Sequence, residues 1–255
     1  MKTQKAKALV RVGAVMALGG AALGWAPLAM AQATPTIAAC TTYGSVVTTP
    51  ANLAAWDFSD TRATGHNDLT PNALRVWTEG ATSTDKAAGY YPTNFALSAL
   101  GTETITQSLD ITTTTGTTPP GLQLVVDFDG DGAPDGILVG EAIYGGPWWL
   151  NNNAATFVKT GAPHNGGGYG SAWYGTPQEW LTAFPSARVR AIGYSLGSGV
   201  LGDYLINRIT LGCVNYTFSN VNLPVQAVPT LWPGALALMG LMLAGLARRR
   251  LVRAD

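Results

Sequence analysis

Histidine is almost missing from this chain: two stand among 255 residues, His66 and His164. Both precede Gly193-Tyr194-Ser195-Leu196-Gly197, the one Gly-x-Ser-x-Gly stretch in the sequence. A serine hydrolase needs a base to take the hydroxyl proton, and in the α/β-hydrolase order that His follows the Ser. After Ser195 the chain offers Asp203 but no His, and the next residues, Gly199-Val200-Leu201-Gly202, are poor helix material. The stretch reads better as a Gly-rich turn between two strands than as a nucleophile elbow.

Charge is scarce as well, at 12% of residues, and the formal balance of zero hides an asymmetry. The first 31 residues and the last 28 hold eight of the 15 basic residues and one of the 15 acidic ones. The middle is left with seven against 14, a net charge of about −7. Such a domain does not suit nucleic acid or anionic membrane surfaces as partners. Lys and Glu are few, while Gly, Thr, Asn, Trp and Tyr are plentiful, a palette for strands and Gly-rich turns rather than helices. No repeat of 20–50 residues occurs, which excludes a propeller or solenoid built from this chain alone. Only two cysteines are present, Cys40 and Cys213. In an oxidising compartment an even pair suggests a disulfide, nominally ~4–5 kcal/mol for so long a loop in the chain-entropy model; two separately buried thiols are the alternative.

Both ends read as addresses. Lys2, Lys5, Lys7 and Arg11 precede an uncharged run over 12–23, too short to span a bilayer comfortably, and then Ala29-Met30-Ala31. That order predicts a cleavable signal peptide over 1–31, with an uncleaved anchor as the alternative. At the other end Val228-Pro229-Thr230-Leu231 leads into an uncharged stretch and then Arg248-Arg249-Arg250 and Arg253. The 17 residues over 231–247 meet the lower limit of a spanning helix, roughly 17–25, and the arginines would hold that end in the cytoplasm. The segment 228–255 resembles the IPTL-type, and less closely the PEP-type, sorting tails of Gram-negative surface proteins. The resemblance implies that a membrane-embedded sorting protease cuts near the motif and passes the domain outward. A plain C-terminal anchor is the alternative; in either case residues 32–227 lie outside the cytoplasm as one extracellular domain.

Within that domain the best strands fall at 54–58, 73–78, 104–111, 122–128, 136–142, 188–195, 205–211 and 214–218, with 112–118 read as a polar Thr-rich loop. One short helix is signalled: Thr176-Pro177-Gln178-Glu179 is a capping box with Pro at the first position, and Pro185 stops it. The sum predicts an all-β fold, a β-sandwich of jelly-roll type with one short helix, in which Cys40 and Cys213 tie the first and last strands.

Two stretches carry chemistry. In Asp127-Phe128-Asp129-Gly130-Asp131-Gly132-Ala133-Pro134-Asp135-Gly136 the acidic side chains recur at loop positions 1, 3, 5 and 9. They can converge on Ca²⁺, which takes six to eight oxygens at ~2.3–2.6 Å, with a backbone carbonyl near Ala133 contributing. The segment resembles the calcium loop of FG-GAP and thrombospondin type 3 repeats, though here it occurs once. It departs from an EF-hand, with Leu138 where a bidentate Glu would stand. A metal-free Asp/Gly hairpin loop is the alternative. The second stretch, 144–180, holds Trp148, Trp149, His164, Tyr169, Trp173, Tyr174 and Trp180 among glycines and Asn151-Asn152-Asn153. Flat aromatic faces beside amides suit sugar rings, so Trp148, Trp149, Tyr169, Trp173 and Tyr174 are the candidate ligand-binding residues. Adjacent Trp148 and Trp149 in a strand point to opposite faces, so at most one need be core.

Segments 77–91 and 136–202, including Thr84-Asp85-Lys86-Ala87-Ala88-Gly89-Tyr90-Tyr91, resemble stretches of secreted bacterial proteins that carry no settled function. The expectation is a secreted, envelope-sorted, non-catalytic surface or matrix protein, a calcium-stabilised module that binds an extracellular glycan. The alternative is an extracellular hydrolase, either a glycosidase using Glu141 and Glu179, whose carboxylates would have to face each other at roughly 5–9.5 Å, or an esterase using Ser195.

Overall fold

A computed structural model of the chain describes residues 35–101 and 108–221. Every described residue belongs to one compact unit. The expected signal peptide, sorting motif and hydrophobic tail helix fall outside the described residues.

The strands are short and joined by turns, as the Gly- and Thr-rich composition demands. In chain order they are β1 (Gly44–Thr48), β2 (Gly65–Leu69), β3 (Leu74–Thr78), β4 (Ala87–Ala96), β5 (Ser108–Thr115) and β6 (Gly121–Asp127). There follow β7 (Gly136–Gly140), β8 (Trp148–Leu150), β9 (His164–Asn165), β10 (Trp173–Gly175), β11 (Arg188–Leu196), β12 (Asp203–Leu211) and β13 (Val214–Phe218). Two short helices, α1 (Thr156–Thr160) and α2 (Pro177–Ala183), flank β9 and β10. The strands form two sheets. One runs β1-β13-β12-β3-β2, with β5 on the other edge of β12; the other runs β4-β11-β6-β7-β8-β10-β9. The fold is therefore an all-β sandwich. Its strand order differs from the jelly roll expected from sequence: β6, β7 and β8 pair consecutively as a meander, and β1 pairs with β13 in parallel. A jelly roll interlocks two Greek keys instead.

Period-two burial builds the core between the sheets. Leu74 and Val76 of β3, Leu122, Leu124 and Val126 of β6, and Ile192, Tyr194 and Leu196 of β11 are all buried in one cluster. In β12 the inward positions are Tyr204 and Ile206, then Ile209 and Leu211. A register shift against β5 between Ile206 and Arg208 changes the parity, so both halves face inward. Phe128, fully buried just after β6, packs at 5.6 Å on Trp180 and 4.9 Å on Phe184 of the helix α2 region.

The disulfide Cys40–Cys213 forms across a sequence separation of 173. Cys213 sits at the tip of the two-residue β12–β13 hairpin, where Gly212 and Cys213 have φ of 59° and 61°. Positive φ at both central positions is the type I′ turn that suits the twist of paired strands. The Gly44 amide donates to the Cys213 carbonyl at 2.9 Å, and β1 continues alongside β13 from there. The first and last strands are thus tied covalently and by a parallel ladder.

Three local expectations need correction. Residues 54–58 are not a strand: a 3-10 turn occupies Leu53–Ala55, and only Asp57 bridges to Tyr90. The Thr-rich segment is not a loop throughout, since β5 runs to Thr115, paired with β12, in keeping with the β preference of threonine. Finally, the ten-residue β4 was hidden by Gly89 and Pro92. Pro92 is tolerated because β4 is an edge strand. Gly89 is required because a Cβ there would lie 2.7–2.8 Å from the Tyr194 hydroxyl and the Phe58 ring.

Candidate functional site

The outer face of the seven-stranded sheet carries two rows of side chains in unbroken register. In one, Tyr90, Gly193, Gln123, Val139, Trp149, Tyr174 and His164 are paired neighbours from β4 across to β9. In the next, Pro92, Ala191, Val125 and Ile137 pair across β4, β11, β6 and β7. Their sequence neighbours, Leu124, Leu138, Leu150 and Ile192, point the other way into the core.

At the β8–β10–β9 end the first row becomes an aromatic surface. His164 stacks on Tyr174 with ring centroids 5.2 Å apart and planes within 20°. Tyr169 reaches over from the Gly-rich loop to lie 4.3 Å from Tyr174, and Tyr144 meets Tyr169 edge-on at 5.8 Å. Trp149 is half-buried; its indole N–H donates to Glu141 Oε2 at 2.9 Å. A Cβ on Gly170 would fall 2.3 Å from that indole ring, so the loop backbone closes on Trp149 only because residue 170 is glycine.

Two candidate ligand residues do not join this surface. Trp148 is 5% exposed and belongs to the core, its ring against Gly140 and its carbonyl accepting from the Trp180 indole at 3.1 Å. It has no face to offer a ligand. Trp173 is a neighbour of Tyr174 in the strand and so points to the opposite side, where it packs on the core under the Lys159 ammonium, 5.0 Å from its ring. Trp149, Tyr169 and Tyr174 are brought together; Trp148 and Trp173 are not.

The residues of the hydrolase alternatives are held in other roles. Ser195 lies inside β11, paired with Ala88 and Gly121 and 4% exposed, with no strand–turn–helix around it. His66 stacks on Trp77 at 4.6 Å in the other sheet. Glu179 closes the capping box of α2, accepting from the Thr176 amide at 2.8 Å, while its other oxygen meets His164 Nε2 at 3.0 Å. The Thr176 amide and then His164 hold its carboxyl below the usual glutamate value, the opposite of what a general acid needs.

The acidic loop connects the β6–β7 hairpin, and its side chains fold it. Asp127 is buried and accepts from the Gly130 amide at 2.7 Å and the Gly132 amide at 2.9 Å. Asp135 accepts from the Phe128 amide at 2.7 Å. Carboxylate oxygens of Asp127, Asp129 and Asp135 lie within 4.8 Å of one another, an arrangement that could hold a metal ion. Burial pushes the Asp135 carboxyl up, and its three acidic neighbours add to the shift against the Phe128 bond. Asp131 is exposed and outside this trio, with its oxygen bonded to the Ala133 amide at 2.8 Å.

Sequence reasoning missed the other end of the sheet face. An open groove of about 710 Å³ is floored by Pro92, Ala191, Val125 and Ile137 and walled by Ala54, Ala55 and Trp56, with Asp57, Asp60 and Tyr90 at its polar side. The Tyr90 hydroxyl lies within hydrogen-bonding reach of Gln123 Oε1 and, at 3.1 Å, of Asp60. Burial above all, with Asp60 nearby, raises the Tyr90 phenol well above its usual value. The only hint in sequence was the acidic spacing Asp57-x-x-Asp60 next to Trp56 and Phe58, too common a pattern to single out. No family model, no curated protein and no solved structure matches this chain.

Proposed function

We propose that this protein is a non-catalytic glycan-binding module of the bacterial cell envelope, exported by its N-terminal signal and sorted by its C-terminal tail. One observation carries the reading: Trp149, Tyr174 and His164 stand in register on the outer face of a sheet, with Tyr169 packed over them. C–H faces of a sugar stack on such rings, while His164, paired beside Tyr174, accepts from or donates to hydroxyls. Rigid strands hold the rings, so little order has to be imposed on binding. In this reading Ca²⁺ occupies the Asp127–Asp129–Asp135 loop and stiffens the β6–β7 hairpin without touching the sugar.

Electrophoresis of the purified chain in gels containing soluble polysaccharides tests the proposal. Migration should slow in the matching gel, and Tyr174→Ala should restore it. A chain that runs unretarded through a broad panel of polysaccharides is not a glycan-binding module.

A further inference from the structure

The groove at the β4 side of the same sheet face has a chemistry the aromatic surface lacks. Its floor is wholly apolar and made of short side chains, so it is flat. Its polar side presents carboxylates. Asp60 is already matched, by Lys86 and by Arg62 at 3.4 Å. Asp57 is not: it is exposed, its carboxylate accepts from Ser59, and it pairs with no cation among the described residues. Neither Lys86 nor Arg62 lines the groove. An occupant therefore meets a hydrocarbon floor, one exposed carboxylate that no cation contacts and, beyond it, a domain whose net charge of about −7 draws cations toward it.

We propose that the groove is a subsite for a sugar unit carrying a free amino group, with Asp57 as counter-ion of its ammonium. The C–H face of the ring lies on Val125, Ile137, Ala191 and Pro92, and the ammonium donates to Asp57, a charge-assisted bond stronger than any between neutral groups. The proposal rests on the glycan-binding reading and names its ligand class. Ile137 in β7 and Tyr174 in β10 are two strand spacings apart across the sheet and two residues apart along it, roughly 12 Å, so one oligosaccharide spans both the groove and the aromatic surface.

Calorimetric titration of the full chain with glucosamine oligomers and with N-acetylglucosamine oligomers of equal length tests this. The amine form should bind about tenfold more tightly, the worth of one hydrogen bond to a charged partner. That advantage should vanish in Asp57→Asn and at high salt. Ala191→Phe, which fills the floor and leaves the carboxylate in place, should erase the advantage too. Equal affinity for the two oligomers, or an advantage that survives Asp57→Asn, overturns the groove proposal and leaves the aromatic surface standing. Binding of neither oligomer removes the groove proposal, while retention by another polysaccharide keeps the broader reading.

Discussion

The indole N–H of Trp149 donates to Glu141 at 2.9 Å, and Glu141 in turn leans across Gly121, whose missing Cβ would fall 2.7 Å from its Cγ. A carboxylate that resembled half of a catalytic pair is thereby a strut that sets the angle of an aromatic ring. Glu141→Gln keeps an acceptor and should leave glycan affinity within about twofold, whereas Glu141→Ala should lower it about fivefold to twentyfold, the loss of one hydrogen bond that orients a ring. Calorimetry on both variants decides it, and equal losses would mean that the charge contacts the sugar directly.

Neighbouring tryptophans should separate stability from binding. Trp148→Ala opens a cavity in the core and should cost about 3–5 kcal/mol in denaturant melts. Tyr174→Ala, on the outer face, should change stability far less yet abolish retardation in the polysaccharide gel. If Trp148→Ala proves as stable as the parent chain, the assignment of the two faces is wrong.

Reducing the disulfide, or the double change Cys40→Ala with Cys213→Ala, should lower stability by about 4–5 kcal/mol in the chain-entropy model. Melts with and without reductant give the number. No change on reduction would mean that the parallel β1–β13 ladder holds without its covalent tie.

Calcium should raise the melting point and a chelator lower it, by about 2.7 kcal/mol of stability when the free ion stands at 100 times its Kd. The sign with pH follows from Asp135. Its folded-state carboxyl is raised by burial, so without metal its contribution improves as pH falls through that value. Binding an ion needs the ionised form. The calcium increment should therefore be full near neutral pH and shrink on acidification through the carboxylate range, and a pH-independent increment would place the ion elsewhere.

Asp85 should behave in the opposite sense. It is buried and accepts from Thr64 Oγ1 and Thr82 Oγ1, each at 2.6 Å, and from the Thr82 amide at 2.7 Å. Those bonds, Thr64 first, hold its carboxyl well below the usual range. Its stabilisation is present above the unfolded value of ~3.9 and is lost as pH falls through the depressed folded value. Asp85→Asn should flatten that part of the acid-denaturation profile; an unchanged profile would assign the loss to other carboxylates.

What the sequence made legible was what depends on short spacing. The capping box at Thr176 and Glu179 formed as its four-residue pattern requires, and β3, β6, β11, β12 and β13 fell where alternation marked them. The Cys40–Cys213 tie was legible as one of two readings of an even pair of cysteines. Hidden features were those that depend on partners far along the chain. β4 is a strand because β11 pairs with it, despite Gly89 and Pro92. Trp149 faces outward and Trp148 inward because of where β7 lies, a choice that alternation alone leaves open. The groove brings residues 54–60 onto a sheet built from β4, β6, β7 and β11, a meeting that no local pattern encodes.

The hairpin tip at Cys213 also has a mechanical consequence. Because β1 and β13 run the same way over five paired residues, a pull on the chain beyond Phe218 loads that ladder in shear, all rungs at once, rather than unzipping it one by one. Any slippage of β13 ends at a covalent stop, since Cys213 is bolted to Cys40 at the far end of the same strand. Tension reaching the fold from its C-terminal side would be borne by the six-stranded sheet rather than the seven-stranded one.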